Sequence, residues 1–219
     1  MQPDLLKSLT PVDRQALVDS VQIALDAARQ AGWKVVFTGL RFEVGYKNVL
    51  PQHRLYGALQ RLNAKMGNDK VHWFLEGYDG SNIRLSLLVG EDTVVWHPSH
   101  LPSTKLVEVL QGIQNVAVVG IKASLSVQVT CQYLCDRGLD VSVVRECVAD
   151  DVPERLTAVV EHLIPLYGNV ISLVDFIDHA VGLDQYEYAH VETCEKIVSY
   201  CCDVGCGGHS SLYMAHLLQ

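Results

Sequence analysis

The densest group of residues that could do chemistry lies in the carboxyl-terminal tail. The thiol and imidazole groups there belong to His190, Cys194, Cys201, Cys202, Cys206 and His209. Thiolates and imidazoles are good zinc ligands. The spacing, however, lacks the two Cys-x-x-Cys pairs of a zinc ribbon, and buried cysteines commonly serve as small apolar residues. We therefore predict no metal site, and we interpret the tail as a helical segment that packs on the core or on another subunit.

A second pair of thiols lies inside a predicted helix. Cys131 and Cys135 are four residues apart, so their side chains share one helix face. A redox pair would require exposure and a lowered thiol pKa, which spacing alone does not provide. We predict that both cysteines pack in the core.

Composition limits the classes of partner. Apolar residues make up 49% and charged residues 19% of the 219 residues, as in globular proteins. The net charge of −8 disfavours nucleic acid, which requires a basic face. The longest uncharged apolar stretch, 116–121, is far shorter than the roughly 20 residues of a membrane-spanning helix. Seven cysteines, an odd number, and no visible export signal favour a cytoplasmic location.

Helices and strands alternate along most of the chain. Thr10 and Pro11 are typical of a helix start, the apolar spacing that follows is helical, and Gly32 ends the pattern. The apolar, β-branched segment 33–40 is predicted to be a buried strand. The later units are predicted as helix 104–113, strand 115–121, helix 124–137, strand 139–147, helix 153–167 and strand 169–173. Uninterrupted apolar strands between helices predict a three-layer α/β/α sandwich with a mainly parallel sheet.

Two regions interrupt this alternation. Residues 41–92 are mixed, with a predicted helix at 53–66 and a candidate strand at 71–78. Loops at the carboxyl ends of parallel strands usually build the functional site. Residues 184–219 follow the last helix–strand unit, so we divide the chain into a main domain, 1–183, and a cysteine-rich helical extension, 184–219.

The succession from Leu17 to Ile177 resembles the isochorismatase-like cysteine hydrolases, the superfamily of nicotinamidases, isochorismatases and carbamoyl-sarcosine amidases. The stretches that carry the likeness are 24–38, 80–110, 116–150 and 153–177. The resemblance implies the same α/β/α fold and a homo-oligomer.

The resemblance also implies a catalytic triad of cysteine, aspartate and lysine, and this sequence departs from it. The family's cysteine position is held by Ser126, and its lysine position falls on His97 or Val95. A serine hydroxyl is far less acidic than a thiol, so it requires a neighbouring base. Ser126 is therefore either a nucleophile served by His97 or a helix cap, and His97 is either a general base or a loop residue.

The amino terminus resembles a turn that follows the family's catalytic aspartate. Met1-Gln2-Pro3-Asp4-Leu5 matches the Met-Gln-x-Asp-Phe-like turn that comes directly after the first strand of such proteins. We therefore expect either a start upstream of Met1 or a true loss of the first strand. Asp4 itself is interpreted as a turn or cap carboxylate.

The resemblance also bears on ligands. It implies a cis peptide at Ile121-Lys122, where backbone amides of Lys122 and Ser126 could face an anion. Some family members hold a metal with an Asp-x-His turn, but residues 39–46 contain no histidine, so we predict neither metal nor cofactor. The leading hypothesis is a catalytically impaired scaffold or small-molecule-binding protein. The alternative is an active hydrolase of small amides or vinyl ethers.

Overall fold

The computed structural model describes residues 1–67, 70–84, 86–90, 92–182 and the backbone of 197–200. The helices in these ranges are α1 (Pro3–Leu6), α2 (Pro11–Gln30), α3 (Gly57–Met66), α4 (Thr104–Val109), α5 (Gln128–Cys135), α6 (Pro153–Ala158) and α7 (Leu173–Val181). The strands are β1 (Lys34–Leu40), β2 (Thr93–His97), β3 (Asn115–Ile121), β4 (Asp140–Ala149), β5 (Asn169–Ile171) and β6 (Ile197–Tyr200). Short π-helical turns at Ala123–Val127 and Val159–Leu163 precede α5 and follow α6.

The first long helix forms as its sequence predicts. The Thr10 hydroxyl accepts a hydrogen bond from the Asp13 amide at 3.2 Å, which satisfies one of the free amides of the first turn of α2. Pro11 occupies the first helical position, where no amide hydrogen bond is lost. Gly32, at φ +70°, follows the helix and turns the chain into β1.

The strands form one parallel sheet in the order β2-β1-β6-β3-β4-β5. Its interior strand β6 pairs on one side with residues 34–37 of β1 and on the other with residues 116–119 of β3. Here the structure differs from the predicted helical tail, because residues 197–200 form a strand, and β-branched residues such as Ile197 and Val198 favour extended backbone. The remaining predictions for residues 184–219, including the cysteine cluster, lie outside the described residues.

Two apolar clusters lie on opposite faces of the sheet. Along β1, Val35 and Phe37 belong to the cluster that contains the apolar face of α2, whereas Val36 belongs to the cluster that contains Cys131 of α5. Strand β3 alternates between the two clusters in the same way. Helices therefore cover both faces, which confirms the predicted three-layer α/β/α sandwich.

The segment between β1 and β2 is mostly irregular. Helix α3 begins at Gly57, later than predicted, and the candidate strand 71–78 is replaced by turns. A single parallel bridge joins Phe42 to Leu75, and Phe74 has φ +55°, which interrupts extended backbone. None of the helices in the described ranges is long and apolar enough to cross a membrane.

Candidate active site

The turn after β3 carries Ser126 at the carboxyl end of the sheet. The peptide Ile121-Lys122 is cis, as the family resemblance implies. The chain then enters a single π-helical turn, and Ser126 lies within it at 2% exposure. The hydroxyl is therefore held inside the protein, two residues before α5 begins.

Two consecutive carboxylates at the end of β4 hold this turn. Asp150 accepts hydrogen bonds from the Ser124 amide at 2.8 Å and from the Ser124 hydroxyl at 2.6 Å. Asp151 forms an ion pair with Lys122 at 2.5 Å, and the hydrogen bond from that ammonium lowers the pKa of Asp151. Lys122, whose backbone amide the family resemblance places in the pocket, thus directs its side chain to Asp151.

His100 contacts Ser126 directly. Its Nδ1 lies 2.7 Å from the Ser126 hydroxyl, and its Nε2 is hydrogen-bonded to the hydroxyl of Tyr56. Ser126, His100 and Tyr56 therefore form a continuous chain of polar groups. Because they come from the turn after β3, the loop after β2 and the loop before α3, three separate parts of the chain build this network.

His97 takes a different position. Its Nδ1 accepts a hydrogen bond from the Ser103 amide at 3.0 Å, and its Nε2 has no hydrogen-bond partner among the described residues. The structure thus pairs Ser126 with His100 rather than with the predicted base His97. Val95, the other position proposed for the missing lysine, is buried inside β2 and contributes only an apolar side chain.

Both histidines are electrically neutral at physiological pH. Burial lowers the pKa of His97 to about 4. Burial also lowers the pKa of His100 to about 4, and electrostatic interactions with His53 and with the ammonium of Lys122 act in the same direction. A neutral imidazole at position 100 therefore meets the Ser126 hydroxyl.

Aromatic rings surround the Tyr56 end of this network. Tyr56 is 7% exposed, and its ring lies 5.2 Å from the stacked ring of His53 and 4.8 Å from Phe42. The Nδ1 of His53 accepts hydrogen bonds from the amides of Leu55 and Tyr56, each at 3.2 Å. The loop before α3 thus holds Tyr56 by both its backbone and its ring.

The first residues of the chain pack beside the end of β1. Gln2 is buried, and its side-chain amide bonds the backbone of Leu40 in both directions, as donor and as acceptor. Asp4 accepts a hydrogen bond from the Phe74 amide at 3.0 Å and pairs with Lys7 at 2.9 Å. Asp4 therefore binds a turn amide, in agreement with its interpretation as a turn carboxylate.

Metal ligands do not converge in the described part of the chain, since no group of three His, Cys, Asp or Glu side chains there could hold an ion. Cys131 is buried and Cys135 half-buried, in agreement with the prediction that they pack in the core.

The contributions of His100 and Tyr56 were missed by the sequence analysis. His100 could have been considered, because it lies only three residues after His97, but nothing in the sequence points to Tyr56.

Comparisons with known proteins agree with this architecture. A sequence model of the isochorismatase domain matches residues 1–175. No curated protein matches the chain. A cysteine hydrolase from Pseudomonas syringae has a similar structure, with a TM-score of 0.67 at 17% identity over 83% of this chain and 89% of that chain.

Proteins with other activities share the fold. The N-carbamoylsarcosine amidase from Thermoplasma acidophilum has a TM-score of 0.58 at 17% identity, covering 75% of this chain and 86% of that one. The MAR1 ribonuclease from Caenorhabditis elegans has a TM-score of 0.59 at 16% identity, covering 83% and 77%. Such neighbours establish the fold and leave the activity to the site. With the domain match over most of its length, this chain belongs to the isochorismatase family.

Proposed function

We propose that this chain is a small-molecule-binding member of the isochorismatase family in which thiol-based hydrolysis has been lost. The main support is the chain of hydrogen bonds that joins Ser126 to His100 and Tyr56. Ser126 occupies the position at which the family resemblance places the cysteine. A serine hydroxyl is barely ionised at neutral pH, so it attacks a carbonyl only when a strong enough base removes its proton.

His100 is a poor base for that task. A general base works best when its pKa lies near the working pH, and that of His100 is lowered to about 4. In serine hydrolases a carboxylate stabilises the imidazolium that forms when the histidine accepts the proton. Here the second ring nitrogen meets the Tyr56 hydroxyl instead of a carboxylate. The electrostatics therefore disfavour the charged intermediate that catalysis requires.

The same surroundings suit a bound ligand. The Tyr56 ring lies beside His100, with the half-buried ring of His53 stacked on it, and Lys122 lies close enough to influence the imidazole. Aromatic surface with a few placed polar groups is typical of small-molecule sites. We therefore propose a small polar molecule with a carbonyl group as the ligand.

A second candidate is an active hydrolase of small amides or vinyl ethers. It is favoured by the 2.7 Å separation of the Ser126 hydroxyl from His100 Nδ1, which lies within reach for proton transfer. In this alternative Ser126 would be the nucleophile and His100 the general base.

Binding and turnover assays on the full chain separate the two candidates. Nicotinamide, isochorismate and N-carbamoylsarcosine serve as probes, with calorimetry for binding and product analysis for turnover. We expect at least one probe to bind without turnover. Ser126→Ala should change its Kd by no more than about tenfold, since one neutral hydrogen bond contributes about 1 kcal/mol.

The exposed Ser86→Ala variant is the matched control for loss of a hydroxyl. Turnover by the wild-type chain that Ser126→Ala abolishes and Ser86→Ala preserves would overturn the binding proposal and establish the hydrolase. Absence of binding by every probe would also count against the proposed ligand class.

A further inference from the structure

His100 lies between two hydroxyl groups and can satisfy them in only two ways. A neutral imidazole has one N–H donor and one lone-pair acceptor. Because Nδ1 meets Ser126 and Nε2 meets Tyr56, one hydroxyl must donate to the ring and the other must accept from it. The direction of the two hydrogen bonds thus decides whether the ring can take a proton from Ser126.

The relative acidity of the hydroxyls favours one direction. A phenol has a pKa near 10, whereas the alcohol of serine is much less acidic. The more acidic O–H is the better donor, and the more basic alcohol oxygen is the better acceptor. Tyr56 is therefore the better donor to Nε2, which leaves the ring proton on Nδ1 and directs it at the Ser126 oxygen.

We propose that Tyr56 is a positioning residue that holds His100 in the tautomer protonated at Nδ1, in which the imidazole donates to Ser126 and cannot accept its proton. This inference rests on the proposed function and gives it a structural cause. In this tautomer the lone pair that base catalysis needs is occupied by Tyr56, on the side of the ring away from Ser126.

The packing around Tyr56 keeps its hydroxyl directed at His100. The ring is buried between His53 and Phe42, and its backbone amide donates to His53 Nδ1. These contacts limit rotation of the phenol, so the bond to Nε2 persists. His100 also stays neutral, which preserves a defined tautomer at physiological pH.

The direct test is the tautomer of His100, measured in the full-length wild-type protein by ¹⁵N NMR of the labelled imidazole. The two ring nitrogens have different shifts when protonated and when bare. We expect the proton on Nδ1 in the wild type. Finding it on Nε2 would overturn the proposal, and this measurement requires no variant.

Tyr56→Phe supplies the second test. It removes the donor to Nε2 while keeping the ring, so the preference for the tautomer protonated at Nδ1 is lost. The fraction of His100 protonated at Nε2 should therefore rise. The matched control is Tyr46→Phe, since Tyr46 is also buried and its hydroxyl donates to the Trp73 carbonyl at a distance of 2.9 Å. The control should leave the His100 tautomer unchanged.

The functional consequence is measured with a fluorophosphonate probe. The Ser126 oxygen attacks phosphorus, fluoride leaves, and the serine proton passes to His100 Nδ1. We expect Tyr56→Phe to react about tenfold faster than the wild type, as expected for a general base made available, and Tyr56→Phe with Ser126→Ala not to react.

Equal labelling rates in the wild type and in Tyr56→Phe would contradict the proposal. Equal labelling rates would not by themselves contradict the proposed function, because that function is tested by the binding and turnover assays on the wild-type chain. A wild type that binds a probe but carries the proton on Nε2 would retain the function and lose only this explanation.

Discussion

The two sides of the site are held by different forces. On one side, the carboxylates of Asp150 and Asp151, directly after β4, hold the turn that contains Ser126, through the amide and hydroxyl of Ser124 and the ammonium of Lys122. On the other side, His100 and Tyr56 come from loops and meet Ser126 through neutral hydrogen bonds and ring packing. Charged groups at the carboxyl end of the sheet therefore fix the turn around Ser126, which we call the frame, whereas rings from the loops determine which groups meet its hydroxyl.

Replacing Asp150 tests the frame most strongly. Asp150→Ala should lower the free energy of unfolding by about 3 kcal/mol, because Asp150 is buried and the partly buried amide and hydroxyl of Ser124 lose their acceptor. Urea denaturation measures the change. The exposed Asp136→Ala, at the end of α5, is the control and should cost less than about 0.5 kcal/mol. Equal losses from the two substitutions would contradict a carboxylate-held frame.

The histidines of the loop side should instead make the free energy of unfolding depend on pH. The folded pKa values of His97 and His100, about 4, lie below the ordinary value of 6.5. Between pH 4 and 6.5 the unfolded chain therefore binds more protons, so stability is complete above 6.5 and is lost as pH falls toward 4. Each histidine should contribute on the order of 2 kcal/mol.

Denaturation at pH 8 and at pH 5 measures this dependence. His97→Gln and His100→Gln should each reduce the difference between the two pH values, because glutamine does not titrate. If both variants keep the wild-type difference in stability between pH 8 and pH 5, the two histidines are not the source of that difference. If His97→Gln reduces the pH dependence more than His100→Gln does, most of the cost of protonating a buried imidazole arises at His97, outside the pair of His100 and Ser126.

The turn that carries Ser126 could be predicted from the sequence, but its contacts with Asp150 and with the loop side could not. The apolar run of β3 follows from local pattern, and the position of Ser126 and the cis peptide before it follow from the family resemblance. The partners of Ser126 could not be predicted in this way. His100 lies 26 residues from Ser126 in the chain, and Tyr56 lies 44 residues from His100. Irregular loops have no period from which such contacts could be predicted.

The tail shows the same limit at the level of the sheet. Four residues, Ile197–Tyr200, pair with β1 and β3, strands that are distant in sequence. So short a run has no periodicity that separates strand from helix, and the choice is made by the two neighbouring strands. Tertiary context thus decided both the interior strand and which imidazole lies beside Ser126.

The smallest expected effect tests whether the two sides influence each other. Asp151→Asn leaves Lys122 without its counter-charge, so the pKa of His100 should fall further, and Lys122→Met should raise it, because a positive charge nearby disfavours the imidazolium. Both side chains are partly exposed, so Asp151→Asn should cost under about 1 kcal/mol of stability. NMR titration of the His100 ring measures the shifts. Shifts in the same direction for both variants would mean that the frame acts on the loop side by displacement rather than by charge.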